Sequence, residues 1–291
     1  MEAEAIARRI WPDASPRIEI LGGGLTNHNY KVTLAGGDAY VLRIAGRDTH
    51  LLGIDRSLEH EASLAAADAG VGPEVVGFVD GCLVTRFIEG NVVPVERMRS
   101  PECLRRVAAA LRAVHAGPRI KGAFDSFRVV EDYRETALAH GGRMPHGYED
   151  AAALARRIEQ VRAGADARLC HNDLLNANFI DDGTSVRIVD WEYAGMGDVF
   201  FDLANFAINH ELDEEQSRIL LEAYFGEARP DDERALALMR FMSDFREAMW
   251  GVVQASVSEL DVDFEAYAAE HFGRLERTAA SPAFREALAA A

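Results

Sequence analysis

The sequence predicts an α+β fold in two lobes: a small antiparallel sheet carrying one helix over residues 1–89, then a larger, mainly helical lobe over residues 90–291. Three observations carry this reading. The chain has 291 residues, about twice the ~150 that serve as a soft prior for one domain. Its first ninety residues read as short strands in the order βββαββ, and apolar residues recur at helical spacing beyond Gly90.

Arg17–Leu21, Asn29–Leu34 and Ala39–Ala45 are short and rich in Val, Ile, Leu and Tyr. The last two flank Ala35-Gly36-Gly37-Asp38, a hairpin turn. Arg56–Ala69 is rich in Ala and Leu and stops at Gly70, which suits a helix with a glycine end. Val75–Val79 and Cys82–Ile88 follow, joined by Asp80-Gly81. Beyond Gly90, Ser100-Pro101-Glu102 supplies an N-cap, a first-turn proline and an acid. Leu104, Val107, Ala108, Leu111 and Val114 then repeat at helical spacing until Gly117-Pro118. Asp213 with Gln216 forms a capping box, and that helix ends at Gly226. Asp231–Val257 is one further long helix. Between these helices, Arg168–Asp190 contains two apolar runs, Asn178–Ile180 and Val186–Val189, joined by Asp181-Asp182-Gly183.

Composition limits the function classes. Lys plus Arg number 31 against 48 Asp plus Glu, a net charge of −17. Duplex nucleic acid and anionic membrane both want a basic face, so neither fits as the main partner, whereas a small cation does. Three scattered cysteines, Cys82, Cys103 and Cys170, have no CxxC spacing and suit a reducing compartment without a metal knuckle. MEAEAIARRI carries charge where a signal peptide needs an apolar stretch, and no run approaches the ~18 apolar residues of a membrane span. A cytoplasmic protein without membrane insertion is expected.

Three segments carry chemistry. Leu21-Gly22-Gly23-Gly24-Leu25-Thr26-Asn27 lets backbone approach a ligand closely, with Thr26 and Asn27 as added donors. Taken alone it also reads as a flexible hairpin, and it is not a GxGxxG opening a helix. His171-Asn172-Asp173-Leu174-Leu175-Asn176-Ala177-Asn178 crowds polar groups between apolar strands. A base and a metal ligand explain it, and so does a capped polar turn. Asp190-Trp191-Glu192 puts one carboxylate at a strand end and another two residues on, as a hard-cation site would. In order, these match the kinase arrangement: a glycine loop over ATP, a loop Asp accepting the hydroxyl proton, and Asn plus a second Asp holding magnesium. The spacing is tighter than in protein kinases and the arginine of their loop motif is absent, which points to a small-molecule kinase. A hydrolytic metal centre on His171, Asp173, Asp190 and His210 lacks any HExxH-like spacing. A silent binding protein is disfavoured because every candidate catalytic position holds a usable residue.

On GGLTNHNY (23–30), YVLRIAG (40–46), CHNDLLNANFI (170–180), VDWEYAGMGDVFFDLAN (189–205) and MWGVVQASVSELDVDFEAYAAEHF (249–272), the chain resembles the choline/ethanolamine kinases of the aminoglycoside-phosphotransferase-like superfamily. The resemblance implies a two-lobed, protein-kinase-like fold and ATP with Mg as cofactors. It implies a small cationic alcohol as substrate, with a thiamine, sugar or aminoglycoside kinase as the alternative. By it, Asp173 is the catalytic base, Asn178 and Asp190 are the magnesium ligands, and Gly23, Gly24, Thr26 and Asn27 form the phosphate loop. Arg43 would hold phosphate, paired with Glu59 or, failing that, Glu61. Adenine would lie against Arg86-Phe87-Ile88 with Ile188 beneath it, though a core strand residue explains Ile188 equally well, and Asp202 would brace the catalytic loop. Trp250 and Tyr193 would wall the substrate pocket. Glu247 stands where the family often has a second aromatic, and Asn209 stands where an acid is expected, with Glu211 two residues on. More carboxylate and less aromatic surface would suit a primary amine.

Overall fold

The computed structural model describes residues 2–22, 24 and 26–290. Helix α1 (Glu2–Ile10) precedes strands β1 (Arg17–Leu21), β2 (Asn27–Thr33) and β3 (Ala39–Ala45). A 3-10 turn (Thr49–Leu52), α2 (Arg56–Asp68), β4 (Val75–Val79) and β5 (Cys82–Arg86) complete the first part. The strands form one antiparallel sheet in the order β1-β2-β3-β5-β4. The expected βββαββ order is present, and β1, β3 and β4 have the predicted bounds. Helix α1 is an addition: Ala3 and Ile6 sit at helical spacing and pack with Val32, Leu42, Ile44 and Val84 of the sheet.

After the sheet come β6 (Asn91–Val92), α3 (Val95–Met98), α4 (Pro101–His115), α5 (Ser126–Ala139) and α6 (Tyr148–Arg162). Strands β7 (Ala167–Cys170), β8 (Phe179–Asp181), β9 (Val186–Ile188) and β10 (Gly195–Asp198) carry the polar segments. Helices α7 (Val199–Asn209), α8 (Glu214–Phe225), α9 (Pro230–Val257), α10 (Phe264–Ala280) and α11 (Pro282–Ala289) end the fold. The caps behave as their side chains dictate: Ser100 accepts from the Cys103 N–H, and Asp213 with Gln216 closes a capping box. Helix α9 is buried along most of its length and packs against α5, α7 and α10. It is the central post of the helical part.

Two small sheets support the polar loops. β8 pairs with β9 as the apolar runs predict, and β6 adds to its other edge. β7 pairs with β10. A Cβ on Gly90 would lie 2.5 Å from the Asp181 carbonyl oxygen, so only glycine lets the chain leave the first sheet this close to β8. None of the helices among the described residues is long and apolar enough to cross a membrane.

Candidate active site

The loop from β7 to β8 is held from beneath by Asp202 of α7. Its fully buried carboxylate accepts from the His171 N–H (2.8 Å) and the Asn172 N–H (2.7 Å), and lies 3.0 Å from His115 Nε2. Asn172 is thereby kept at φ 67°, a left-handed conformation that asparagine tolerates better than most side chains. Burial raises the Asp202 proton affinity, but the His115 hydrogen bond and nearby His171 outweigh it, and the carboxyl titrates below its ordinary range. Asn205, one turn along, accepts from the Leu174 N–H (2.6 Å). His171 donates from Nε2 to the Val189 carbonyl (2.9 Å) and accepts the Asp173 N–H at Nδ1 (3.2 Å). Burial lowers its proton affinity. This neutral imidazole orients the loop.

Asp173 thus projects from a rigid turn. Burial pushes its carboxyl up to about 8; Arg246 opposes that rise, and the neighbouring Glu247, Asp190 and Glu192 carboxylates add to it. The Asp173 carbonyl accepts from Asn178 Nδ2 (2.8 Å), a bond that leaves the side-chain Oδ1 of Asn178 uncommitted to it. Asp190, just past β9, has φ 72° and pairs with Arg43 of β3. Arg43 also donates to Glu59 Oε1 of α2 (2.9 Å) and to Asn29 Oδ1 (3.2 Å). Glu59 is therefore the partner on α2, while Glu61 accepts the Lys121 N–H. Asp190, Glu59 and Glu192 together keep Arg43 protonated against its burial.

A cleft of 360 Å³ runs past these groups, lined by Gly22, Gly24, Arg43, Arg86, Ile88, Asn178 and Asp190 among others. Gly24 has φ 101°, open to glycine at little cost, while Gly23 lies outside the described residues. Asn178 and Asp190 offer oxygen donors to the cleft, a set that fits a hard divalent cation.

Several expectations are corrected. Thr26 and Asn27 do not turn into the cleft: they bind Glu192, at 2.6 Å to Oε1 and 2.8 Å to Oε2. Arg56 of α2 reaches the same carboxylate at 3.1 Å. Glu192, which the spacing offered as a cation ligand, instead ties the glycine loop and α2 to the catalytic segment. Ile188 is fully buried in the core, and its neighbours Ile180, on β8, and Val189, just past β9, line the cleft. Arg86, with Phe87 and Ile88, does line the cleft as expected, and its half-exposed guanidinium pairs with Glu74 and Asp38. Glu211 pairs with Arg99 at the surface, away from the Asp173 group, and Asn209 lies on the last turn of α7. The compact His/Cys/Asp grouping among the described residues is His115, Cys170 and Asp202, which leaves a centre on His171, Asp173, Asp190 and His210 without support.

The group beside Asp173 comes from α9, α10 and the Asp190 segment. Trp250 Nε1 donates to the Tyr193 hydroxyl (3.0 Å), bringing the two expected aromatic residues together. Glu247 accepts from Arg246 Nη1 (2.6 Å) and from the Tyr267 hydroxyl (2.9 Å). Burial raises its proton affinity, but Arg246, His271 and Tyr267 outweigh that and keep it ionised. Arg246 and Tyr267 carried no local signal in the sequence. Arg246 adjoins Glu247, yet its other neighbours come from distant segments.

Comparison with known proteins agrees with this geometry. The model of the phosphotransferase enzyme family matches residues 17–238. The crystal structure of a choline/ethanolamine kinase family protein from Mesorhizobium loti superposes with a TM-score of 0.84 at 32% identity, covering 99% of this chain and 97% of that one. Choline kinase LicA from Streptococcus pneumoniae shares the fold, with a TM-score of 0.79 at 22% identity and 100% of both chains covered. Protein LicA of Haemophilus influenzae is 29% identical over 212 residues, 69% of this chain, and the match spans 61% of that relative's length.

Proposed function

This chain belongs to the phosphotransferase enzyme family, and within it to the choline/ethanolamine kinase family; from that premise we propose that it transfers the γ-phosphoryl group of ATP to the hydroxyl of a small amino-alcohol of the choline or ethanolamine type. The observation that carries the reading is the convergence of Asn178, Asp190 and Arg43 on one cleft, with Asp173 joined to Asn178 through its own carbonyl. In this reading residues 1–89 bind nucleotide and residues 90–291 supply the catalytic loop and substrate pocket. The three cysteines are buried, and this reading makes the protein a cytoplasmic enzyme.

Phosphoryl transfer asks mainly for positioning and charge neutralisation. Arg43 holds the nucleotide phosphates, with Glu59 and Asn29 fixing its direction. Ile88 and Val189 bound the base, and Gly22 and Gly24 allow close backbone approach. Asn178 and Asp190 would hold Mg²⁺, which supplies charge neutralisation at the phosphates when bound. Asp173 accepts the proton of the substrate hydroxyl, and its raised proton affinity matches that task near neutral pH. Tyr193 and Trp250 stand beside it as pocket walls.

The test is magnesium-dependent ADP release from ATP with choline, ethanolamine and a panel of other alcohols, with Asp173→Ala as control. Stimulation by either amino-alcohol, abolished in the variant, is the expected result. Stimulation only by another alcohol overturns the substrate class, and turnover retained in Asp173→Ala overturns the base.

A further inference from the structure

The aromatic group beside Asp173 already contains a cation. Arg246, on α9, is 1% exposed. Its guanidinium carbon lies 4.3 Å from the centre of the Tyr193 ring. Its Nη1 donates to Glu247 at 2.6 Å and reaches to 3.5 Å from Asp173 Oδ1. We propose that Arg246 is a specificity-determining residue: by covering the Tyr193 face beside the base, it excludes quaternary ammonium alcohols and leaves a seat for a primary ammonium alcohol. This rests on the amino-alcohol phosphotransferase reading above and narrows it.

A trimethylammonium group has no N–H. It is held by aromatic faces and by net negative charge, and both are reduced here. One face of Tyr193 is occupied by the guanidinium, and its hydroxyl is engaged by Trp250. Trp250 is only 9% exposed, with Phe264 and Tyr267 packed against it at 5.7 and 5.5 Å and steep interplanar angles. Arg246 also neutralises the ionised Glu247 beside it. A guanidinium beside the seat repels a bulky cation that has no hydrogen bonds to offer in return.

A primary ammonium is held differently. Each carboxylate has about four lone-pair sites. Glu247 commits one to Arg246 and one to Tyr267, and Asp173 faces Arg246 through Oδ1 alone. Lone pairs therefore remain where ring faces do not, and three N–H donors can use them. Two carboxyl groups face the one guanidinium, so acceptor oxygens outnumber the bonds that Arg246 makes. A second cleft of 350 Å³ reaches Tyr193, lined by Asp55, Asp132, Tyr133 and Glu135 with no lysine or arginine in its wall among the described residues, while Glu192 of the same wall is paired with Arg56. Its charge favours the approach of a small cation.

The experiment compares kcat/KM for ethanolamine and its mono-, di- and trimethylated forms, the last being choline. In the unmodified enzyme, kcat/KM falls with each methyl, at least ten-fold across the series and mainly through KM. The double variant Arg246→Gln, Glu247→Gln removes the guanidinium without leaving its carboxylate unpaired, and it shifts the choline-to-ethanolamine ratio toward choline by ten-fold or more. Choline turnover equal to or better than ethanolamine in the unmodified enzyme overturns the inference, whether or not the variant folds. An unchanged ratio in a folded double variant also overturns it. Phosphorylation of none of the four overturns the amino-alcohol reading and this inference with it, so the two failures are told apart.

Discussion

Asp202 is the place where one substitution tests the architecture beneath the catalytic loop. Its carboxylate accepts two backbone N–H groups, of His171 and Asn172, and faces His115 Nε2, all in a fully buried setting. Asp202→Ala leaves both N–H groups without a partner or water. Each such orphan costs ~1–3 kcal/mol, so the variant loses ~2–6 kcal/mol before any contribution from His115. A domain holds only ~5–15 kcal/mol in total. Asp202→Asn is the graded control: the amide oxygen still serves Asn172, but its NH2 meets the His171 N–H, donor against donor. His115 can adapt by changing tautomer, since its Nδ1 lies 2.7 Å from the Tyr224 hydroxyl. One orphan remains, and ~1–3 kcal/mol is lost. Urea denaturation of the three proteins, read by circular dichroism, gives the ranking, and turnover follows it because Asp173 sits next to the loosened peptide.

The pH dependence supplies a second reading of the same group. The folded carboxyl titrates below its unfolded value, so the unfolded chain binds more protons in that interval and stability rises with pH there. The contribution is whole above the ordinary carboxylate range near ~3.9 and is lost as pH falls through the depressed folded value. Asp202→Ala should flatten that acid limb. An Asp202→Ala protein within ~0.5 kcal/mol of the parent, the scatter of ordinary surface substitutions, with unchanged turnover, refutes the bracing role.

Two further outcomes are expected. In Asp190→Ala, Mg²⁺ should no longer strengthen nucleotide binding in titration calorimetry, and an undiminished magnesium effect refutes the ligand assignment. Gly46→Ala places a Cβ 2.5 Å from the Thr26 carbonyl oxygen, which accepts the Gly46 N–H at 2.9 Å. The glycine loop must move, and KM for ATP should rise roughly 2- to 10-fold, the equivalent of one hydrogen bond; an unchanged KM refutes the link between this contact and the phosphate loop.

Much of the site was legible because it is contiguous. His171, Asp173 and Asn178 lie within one loop, and Asp190 follows a strand whose apolar run is visible, so local pattern places them. The Arg43–Glu59 pair was reachable by spacing along β3 and α2, although the choice between Glu59 and Glu61 depends on which face of α2 meets the sheet. Thr26 and Asn27 show where local reading stops. Their composition suits phosphate, but a buried carboxylate more than 160 residues away claims both side chains. Ile188 and Val189 are adjacent and equally apolar, and only the fold puts Ile188, at the end of β9, in the core and Val189, just past it, on the cleft wall.

By itself the sequence determined the order of strands and helices, the caps that begin α4 and α8, and the polar loop proposed here as catalytic. Each of these rests on interactions between residues close in the chain. The tertiary structure alone decided which carboxylates are free to act and which are tied. It made Glu192 a link to the glycine loop and Arg56, set Glu211 at the surface, and put Arg246 against Tyr193. Burial and charge pairing are sums over all neighbours in space, and in this pocket most of those neighbours come from segments far apart in the chain.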